Sequence, residues 1–263
     1  MKELISELLS PLSAEPIRGG GFQPPGQFQN IKCLAFDLYG TLLISAAGGD
    51  SLDRESILRD LLPLESLPET PLVPILHDLV KEDHLKSREQ GIEFPEVDIL
   101  EIWDRFFSRL SLPNPDLPRF ALHYELLTNP VWPMPGFDAL PSHLPLALIS
   151  NAQFYTSLLM EELLPLEFEE DLTFLSYQHR QAKPGTFLFE KLAESLKARN
   201  ISPSETLYIG NDHKKDVIPA QQTGFPSVLF AGDTRSLRTS PDLPAPDAII
   251  THLSQINDLL PKS

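Results

Sequence analysis

The sequence has one cysteine, Cys33, among its 263 residues, so it cannot form an internal disulfide. Cys33 lies in an apolar run, and we interpret it as a small core residue rather than a reactive thiol. No apolar stretch approaches the roughly 18 residues of a membrane span. The N-terminus has acidic residues among its apolar ones and fits neither a signal peptide nor a transit peptide. We therefore expect a cytoplasmic protein with no membrane partner.

Basic residues are scarce, with 21 Lys and Arg against 37 Asp and Glu and a formal net charge of −16. A general nucleic-acid binder needs a basic surface to displace counterions from phosphates, and this sequence has no run rich in Lys or Arg. We therefore expect no nucleic-acid partner. The charge would also repel an anionic substrate, so an enzyme for small phosphorylated or carboxylated molecules must make its site locally positive.

Apolar runs are present but short, and several lack the alternation of a half-exposed strand. This pattern is typical of strands that are covered on both faces. The runs are residues 31–36, 146–149, 207–209, 228–230 and 248–250. Helical patterns such as those at 187–198 and 216–223 separate most of them. Alternating strands and helices predict an α/β fold with a Rossmann-like parallel sheet and right-handed crossovers.

Residues 44–133 interrupt this alternation with helical patterns. The patterns cover residues 52–62, 73–88, 97–110 and about 117–127. We interpret them as an α-helical cap inserted between the first and second core strands. The core itself would comprise residues 31–43 and 134–263. The two glycines at 48–49 and the proline-rich stretch at 130–135 are the predicted hinges of the cap.

Residues 1–30 are predicted to form an N-terminal extension outside this core. A short amphipathic stretch from Leu4 to Leu12 leads into a segment rich in glycine and proline at 19–25, which is typical of a linker. The amphipathic stretch can pack on the main body or on a partner, and the sequence leaves both possibilities open. It leaves the oligomeric state open as well.

An aspartate stands directly after the first predicted strand, at the sheet edge where parallel α/β folds bind ligands. Asp37 follows the apolar run 31–36, and a carboxylate there is costly unless it is used or paired. Gly40 lets the chain turn sharply after it. The alternative is a structural turn in which Asp37 serves only as a cap.

Further polar residues follow or flank the other predicted strands. Ser150 and Asn151 can hydrogen-bond an anionic oxygen, or they can simply cap a loop. Lys183 precedes a predicted helix and either faces the strand ends or lies on the solvated surface. Asp212 and Asp216, four residues apart, can converge on Mg²⁺ or can cap the helix that follows.

Together, the order and spacing of these residues resemble the haloacid dehalogenase (HAD) superfamily. Its members have a nucleophile motif of D-x-x-x-T/V type, then a Ser or Thr, then a Lys, then an acidic motif of GD-x(3–4)-D type. The matching residues here are Asp37 to Thr41, Ser150, Lys183, and Asp212 with Asp216. The resemblance extends over roughly residues 30–260, and the family's helical cap stands where this chain has residues 44–133.

The resemblance implies a hydrolase that works through a covalent intermediate. The residue matching Asp37 would attack the substrate and form an ester or an acyl phosphate. Thr41 and Ser150 would hold substrate oxygens, with Asn151 assisting. Lys183 would neutralise the nucleophile and the charge that develops on the substrate. The implied partner is a small anionic molecule.

The resemblance also implies Mg²⁺ as the cofactor. Asp37, Asp212 and the backbone carbonyl of Tyr39 would hold the cation, and Asp216 is a further candidate ligand. The charges favour a cation there, because Asp37, Asp212 and a bound phosphate would crowd together. Each pair of like charges about 4 Å apart costs roughly 4 kcal/mol at an effective dielectric constant of about 20.

Two departures from the family patterns point to different reactions. Most family phosphatases carry an acid two residues after the nucleophile, which protonates the leaving alkoxide. This chain has Tyr39 there, as family dehalogenases do. Those dehalogenases work without metal, lack the acid that matches Asp212, and hold the halide with an Arg at the start of the cap. Arg54 and Arg59 are available in the cap, but neither stands in a matching context.

Three functions therefore stay open at the level of sequence. The main interpretation is a Mg²⁺-dependent phosphohydrolase that acts on a small phosphorylated metabolite. The first alternative is a metal-independent 2-haloacid dehalogenase, whose halide leaves as a stable anion and needs no proton. The second alternative is a weakly active or inactive member that binds a ligand or a partner. No substrate can be named, because the cap residues that would select it are not identifiable.

Overall fold

The structure is a computed structural model that describes residues 1–15, 27–45, 53–62 and 67–261. The predicted linker at 19–25 and the predicted hinge at 48–49 lie outside the described residues. These two predictions therefore stay untested.

The centre of the molecule is a parallel sheet. The strands of the described residues are β1 (Cys33–Phe36), β2 (Leu43–Ser45), β3 (Val131–Pro133), β4 (Leu146–Ser150), β5 (Phe168–Leu175), β6 (Thr206–Gly210), β7 (Ser227–Phe230) and β8 (Ala248–Ile250). Six of them form one sheet in the order β5-β4-β1-β6-β7-β8, and every neighbouring pair is parallel. The predicted α/β fold with a parallel sheet is confirmed.

Strand β1 lies inside this sheet and is covered on both faces. Leu34 and Phe36 pack into one apolar cluster, while Cys33 and Ala35 pack into another on the opposite face. The split follows from the two-residue period of a strand whose faces are both apolar. Burial raises the pKa of the Cys33 thiol to about 12, and its interpretation as an inert core residue is confirmed.

Helices cover both faces of the sheet. The helices of the described residues are α1 (Lys2–Leu8), α2 (Arg54–Asp60), α3 (Leu72–Glu89), α4 (Ile99–Arg109), α5 (Leu117–Thr128), α6 (Thr156–Leu163), α7 (Ser176–His179), α8 (Phe187–Ala198), α9 (Ile218–Gln222) and α10 (Ile256–Leu259), with a π-helical turn at His213–Val217 and 3₁₀ turns at Phe137–Ala139, Pro203–Glu205 and Leu253–Gln255. Helices α8 and α9 contribute to one apolar cluster, and α6 and α10 contribute to the other. None of these helices is both long and apolar enough to cross a membrane.

Helices α2 to α5 contribute to an apolar cluster of their own, while Leu122 and Leu126 of α5 pack into the cluster that contains β1. In α4, Trp103 and Phe106 are buried on one face, and Trp103 meets Phe120 and Tyr124 of α5 edge to face. The antiparallel pair β2–β3 joins the two ends of this helical segment beside the sheet. A separate core is the property that a cap requires, although the division of the chain into cap and core stays a prediction.

The N-terminal helix α1 packs on the main body of the chain. Leu4 and Ile5 are buried in the same apolar cluster as β1, and α1 lies against α5 and α6. At its start, Lys2 forms ion pairs of 2.6 and 3.0 Å with Glu161 and Glu162. The sequence left open whether this segment packs on the main body or on a partner, and in the structure α1 packs on the main body.

Candidate active site

A cavity of about 210 Å³ lies at the carboxyl ends of β1, β4 and β6. This is the edge of the sheet where parallel α/β folds bind ligands. The residues that line it are Asp37, Tyr39, Ser45, Asn151, Lys183, Asn211, Asp212, Lys215, Asp216, Ser236 and Arg238. All predicted site residues except Thr41 and Ser150 are therefore brought together around one cavity.

Asp37 follows β1 directly and is 7% exposed. Its Oδ1 accepts a hydrogen bond of 3.1 Å from Ser150 Oγ and one of 2.7 Å from Lys183 Nζ. Burial raises the pKa of Asp37 to about 6, and the positive charge of Lys183 limits that rise. The carboxylate is thus held in one orientation while it lines the cavity.

Lys183 is the buried cation of the site. Its Nζ donates to Asp37 Oδ1 at 2.7 Å, to Asp216 Oδ1 at 2.5 Å and to the Tyr208 hydroxyl at 3.2 Å, and also to the Ile149 carbonyl at 3.1 Å. Burial would lower the pKa of Lys183, but the two carboxylates raise it above its ordinary value. The alternative of a solvated surface lysine is therefore wrong.

Asp216 has both carboxylate oxygens occupied by neighbouring groups. Oδ1 accepts from Lys183 Nζ and from the Tyr208 hydroxyl at 3.0 Å, and Oδ2 accepts from the Asp212 backbone N–H at 2.9 Å. A Cβ on Gly210 would collide with this carboxyl, so glycine is required there. In this structure the oxygens of Asp216 fix Lys183 and the loop after β6, and its expected role as a Mg²⁺ ligand stays a prediction.

Ser150 and Asn151 hold the catalytic candidates in place. Ser150 is fully buried, and its hydroxyl points at Asp37 rather than at the cavity. The Asn151 side chain makes two hydrogen bonds to the backbone of Lys183, accepting from its N–H at 2.8 Å and donating to its carbonyl at 3.0 Å. In this geometry Ser150 orients Asp37, and Asn151 orients the backbone of Lys183. Of the two, only Asn151 also lines the cavity.

Thr41 does not reach the cavity. It is fully buried, and its hydroxyl donates to Asn211 Oδ1 at 3.2 Å. Gly40, which has a positive φ of 87°, brings the chain so close to Asn211 that any side chain at position 40 would collide with the amide. In this structure Thr41 ties the loop after β1 to the loop after β6, and its expected contact with a substrate oxygen stays a prediction.

Asp212 lines the cavity together with Asp37 and Asp216. Its Oδ1 also caps the π-helical turn by accepting from the backbone N–H groups of Lys214 and Lys215, each at 2.9 Å. Mg²⁺ prefers hard oxygen donors and often takes one or two carboxylates plus waters and substrate oxygens. Asp37, Asp212 and the carbonyl of Tyr39 fit that requirement. No group of three or more His, Cys, Asp or Glu side chains in the described ranges is arranged to hold a metal.

Tyr39 lines the cavity but is a poor proton donor. Its hydroxyl is hydrogen-bonded to Thr156 Oγ1 at 2.9 Å. Burial raises the pKa of Tyr39 far above its ordinary value, with smaller contributions from the charges of Glu125 and Asp37. A buried phenol of that kind does not supply the proton that a leaving alkoxide needs.

Lys215, Ser236 and Arg238 also line the cavity, although no motif marks them. Ser236 and Arg238 lie in the loop after β7, which has no counterpart among the family motifs. Backbone pairing brings this loop to the site: the Arg238 N–H donates to the Asn211 carbonyl at 3.1 Å, and the Arg238 carbonyl accepts from the His213 N–H at 2.8 Å. Such non-local pairing leaves no local signal in the sequence.

The two arginines considered for a halide site lie elsewhere. Arg54 Nη2 donates to Asn129 Oδ1 at 3.2 Å. Arg59 forms an ion pair of 2.8 Å with Glu55 inside α2. Neither arginine lines the cavity, so the described residues contain no support for a halide site built on them.

The helical segment is hydrogen-bonded to the loop that leads into Lys183. The stretch 94–96 runs antiparallel to the stretch 180–182, with backbone hydrogen bonds of 2.8 and 3.1 Å. Beside it, the Glu96 carboxylate accepts a hydrogen bond of 2.7 Å from Ser176 Oγ. The proposed cap therefore contacts the loop that carries Lys183, and its movement stays a prediction.

Glu96→Gln is expected to stabilise the protein increasingly as the pH rises. Burial raises the pKa of Glu96 above its ordinary value, so ionisation of this carboxyl opposes folding. Stability that the protonated group contributes below about pH 4.5 is lost as the pH rises through the raised pKa. We expect the Tm of Glu96→Gln relative to wild type to increase between pH 4.5 and neutral pH in thermal melts. The exposed Glu89→Gln is the control; a Tm difference independent of pH would contradict the prediction.

The fold is similar to that of solved haloacid dehalogenases and phosphatases. A 2-haloacid dehalogenase from Pseudomonas syringae is 20% identical, with a TM-score of 0.58 over 87% of this chain and 97% of that chain. A predicted phosphoglycolate phosphatase from Haemophilus somnus is 18% identical, with a TM-score of 0.52 over 88% and 99%. A HAD hydrolase from Bacillus subtilis bound to magnesium is 21% identical, with a TM-score of 0.50 over 88% and 99%.

No family model and no curated protein sequence matches the chain. At these low identities, the likeness to solved structures establishes the fold alone. The chain has the HAD-like α/β fold, and its reaction has to be inferred from the residues around the cavity.

Proposed function

We propose that this protein is a Mg²⁺-dependent phosphohydrolase that acts on a small phosphorylated metabolite with Asp37 as its nucleophile. The observation that carries the proposal is the buried pair of Asp37 and Lys183, joined at 2.7 Å, in a cavity that Asp212 also lines. A carboxylate nucleophile needs a neighbouring cation that can balance its charge when an anionic substrate arrives. Lys183 meets that need.

The orientation of Asp37 suits attack on phosphorus. Its Oδ1 holds the hydrogen bonds from Ser150 and Lys183, so Oδ2 is the oxygen that we propose to attack. A bond then forms between Oδ2 and phosphorus while the bond from phosphorus to the leaving oxygen breaks. Water afterwards attacks phosphorus, releases phosphate and restores the Asp37 carboxylate.

Asp37, Asp212 and the Tyr39 carbonyl are the proposed Mg²⁺ ligands. When bound, the cation supplies positive charge that offsets the repulsion between these carboxylates and a phosphoryl group. The magnesium-bound neighbour from Bacillus subtilis, which shares the fold, supports this choice of metal. Asp216 is left out of the ligand set, because it is engaged by Lys183 and Tyr208.

The Tyr39 hydroxyl is hydrogen-bonded to Thr156 and has a raised pKa, so it does not protonate the leaving group. The leaving group has to take its proton from water or from the substrate itself. Phosphate esters with good leaving groups are therefore the expected better substrates. Assays of phosphate release from p-nitrophenyl phosphate and from alkyl phosphates, with Mg²⁺ and with a chelator, test the proposal. Release that stops with chelator and returns with Mg²⁺ is expected. Absence of phosphate release from the whole panel would refute it and favour a protein that only binds a ligand.

A 2-haloacid dehalogenase is the second candidate, favoured by Tyr39 and by the P. syringae dehalogenase that shares the fold. A single turnover in H₂¹⁸O separates the two reactions. In phosphoryl transfer, water attacks phosphorus and Asp37 keeps its own oxygens. In dehalogenation, water attacks the carbonyl carbon of the Asp37 ester, so one solvent oxygen stays in Asp37. The mass of the peptide that contains Asp37 distinguishes them.

Tyr39→Asp is expected to raise kcat/KM for alkyl phosphates by about tenfold or more. General-acid help contributes roughly 10² to 10⁴ in rate when charge builds on a poor leaving group. The gain should be much smaller for p-nitrophenyl phosphate, whose leaving group scarcely needs a proton. Tyr39→Phe is the matched control, because it removes the hydrogen bond to Thr156 without adding an acid. An equal loss on both substrates would mean that Tyr39 has a packing role.

A further inference from the structure

We propose that Lys215 and Arg238 form a subsite for a carboxylate on the organic part of the substrate. The inference rests on the proposed phosphohydrolase function and names the class of its substrate: a small phosphate ester that carries a carboxylate. Both residues line the same cavity as Asp37. Lys215 lies between Asp212 and Asp216 at a position that the acidic motif leaves unspecified, and Arg238 lies outside the motifs.

The three cationic side chains among the described residues that line the cavity lie at different depths. Lys183 is buried and engaged with Asp37 and Asp216, whereas Lys215 and Arg238 are exposed. A phosphoryl group that reaches the buried Asp37 leaves the rest of its molecule pointing outward, toward the two exposed cations. The cavity volume of about 210 Å³ is below the roughly 300–1,000 Å³ of pockets for drug-sized ligands, so that remainder is small.

Neither exposed cation forms an ion pair with a carboxylate of the described residues. Lys215 lowers the pKa of Glu96 through space, but no hydrogen bond joins the two side chains within those same ranges. Arg238 uses Nη1 on the carbonyls of Arg235 and Leu237, at 2.7 and 2.9 Å. These bonds are to neutral groups, so the charge of Arg238 stays available to an anion.

Backbone contacts fix both cations relative to Asp212. The Lys215 N–H donates to Asp212 Oδ1 at 2.9 Å. Arg238 pairs as an isolated parallel bridge with Asp212. The loop of Arg238 is itself held by the buried Asp233, which accepts a hydrogen bond of 2.6 Å from Arg235. Two cations on fixed backbone beside the proposed metal ligand suit recognition of a charged group at a set distance from the phosphoryl group.

A matched pair of substrates tests the subsite: propyl phosphate and 3-phosphonooxypropanoate, in which a carboxylate replaces the terminal methyl group. Wild type is expected to prefer the carboxylated compound. Lys215→Gln and Arg238→Gln are each expected to lower kcat/KM for that compound by roughly 10- to 100-fold, as for loss of a charge-assisted hydrogen bond. Turnover of propyl phosphate should change by no more than about threefold. Lys214→Gln, the exposed neighbour that does not line the cavity, is the control.

An equal loss on both substrates would overturn the proposal, because the two cations would then serve the phosphoryl group. A wild type without preference for the carboxylated compound would overturn it as well. Calorimetric titration of both compounds into the inactive variant Asp37→Asn measures binding without turnover. It therefore tests the subsite independently of the proposed phosphohydrolase activity. Tighter binding of the carboxylated compound that disappears with Lys215→Gln supports the subsite even where wild type hydrolyses neither compound. Equal binding of the two compounds refutes it.

Discussion

Asp37→Asn is expected to lower kcat for phosphate release by a factor on the order of 10⁴ or more, with the fold intact. The amide has nearly the same shape, and its oxygen can still accept from Ser150 and Lys183 as Oδ1 does. It cannot, however, attack phosphorus to form an acyl phosphate. Since the covalent intermediate is the proposed route to product, its loss should remove nearly all turnover.

Steady-state kinetics of Asp37→Asn, beside circular dichroism and a thermal melt, measure this effect. The exposed Asp258→Asn makes the same chemical change at a residue that does not line the cavity, and it should leave kcat within about twofold of wild type. Residual wild-type enzyme has to be excluded by mass spectrometry. Substantial turnover by the pure variant would show that Asp37 is not the nucleophile.

Lys183→Met is expected to abolish activity and also to destabilise the protein. Removing this cation leaves Asp37 and Asp216 buried without the partner that both now share at 2.7 and 2.5 Å. Breaking a buried charge pair by removing one partner typically costs about 3–5 kcal/mol, which corresponds to a fall in Tm on the order of 10 °C. The catalytic loss follows because nothing then balances the charge of the nucleophile against an anionic substrate.

A double variant separates the two effects of Lys183. Adding Asp216→Asn to Lys183→Met neutralises one of the two carboxylates that have lost their ion pair with Lys183. Part of the lost stability should therefore return while activity stays absent. Differential scanning calorimetry and phosphate-release assays on the single and double variants test this. The exposed Lys197→Met controls for the substitution itself. Recovery of activity in the double variant, or an unchanged Tm in the single one, would contradict the assignment.

The sequence predicts the buried part of the fold well, because burial leaves an apolar signature. All five predicted runs became strands of the sheet, as the fully buried β1 illustrates. The edge strand β5 was missed, because Glu169, Glu170 and Asp171 face solvent and interrupt the apolar run. Charges on an edge strand discourage pairing with other molecules, so the same residues that protect the edge hide the strand from a hydrophobicity pattern.

The sequence predicts which residues lie at the site better than it predicts what each of their side chains contacts. Asp37 and Asp212 were found from their places after predicted strands, and Lys183 from its place in the family's motif order; the three residues share one cavity. The hydroxyl of Thr41, by contrast, turns to an amide of another loop, a direction that spacing does not encode. Arg238 was missed because only non-local backbone pairing brings its loop to the cavity. Motif spacing identifies the strand ends, and tertiary pairing decides what each side chain contacts.

The N-terminal segment ties the first residues of the chain to the last third of it. The Glu15 carbonyl accepts from the Thr234 N–H at 2.9 Å, and the two side chains are hydrogen-bonded across 219 residues of sequence. During synthesis at roughly 5–20 residues per second, the segment therefore waits about 10 to 45 s for that partner to leave the ribosome. Leu4 and Ile5 stay uncovered until α5 and α6 emerge. Until then the nascent chain exposes these two apolar side chains of the amphipathic segment, which makes the segment a site for chaperone binding and early aggregation.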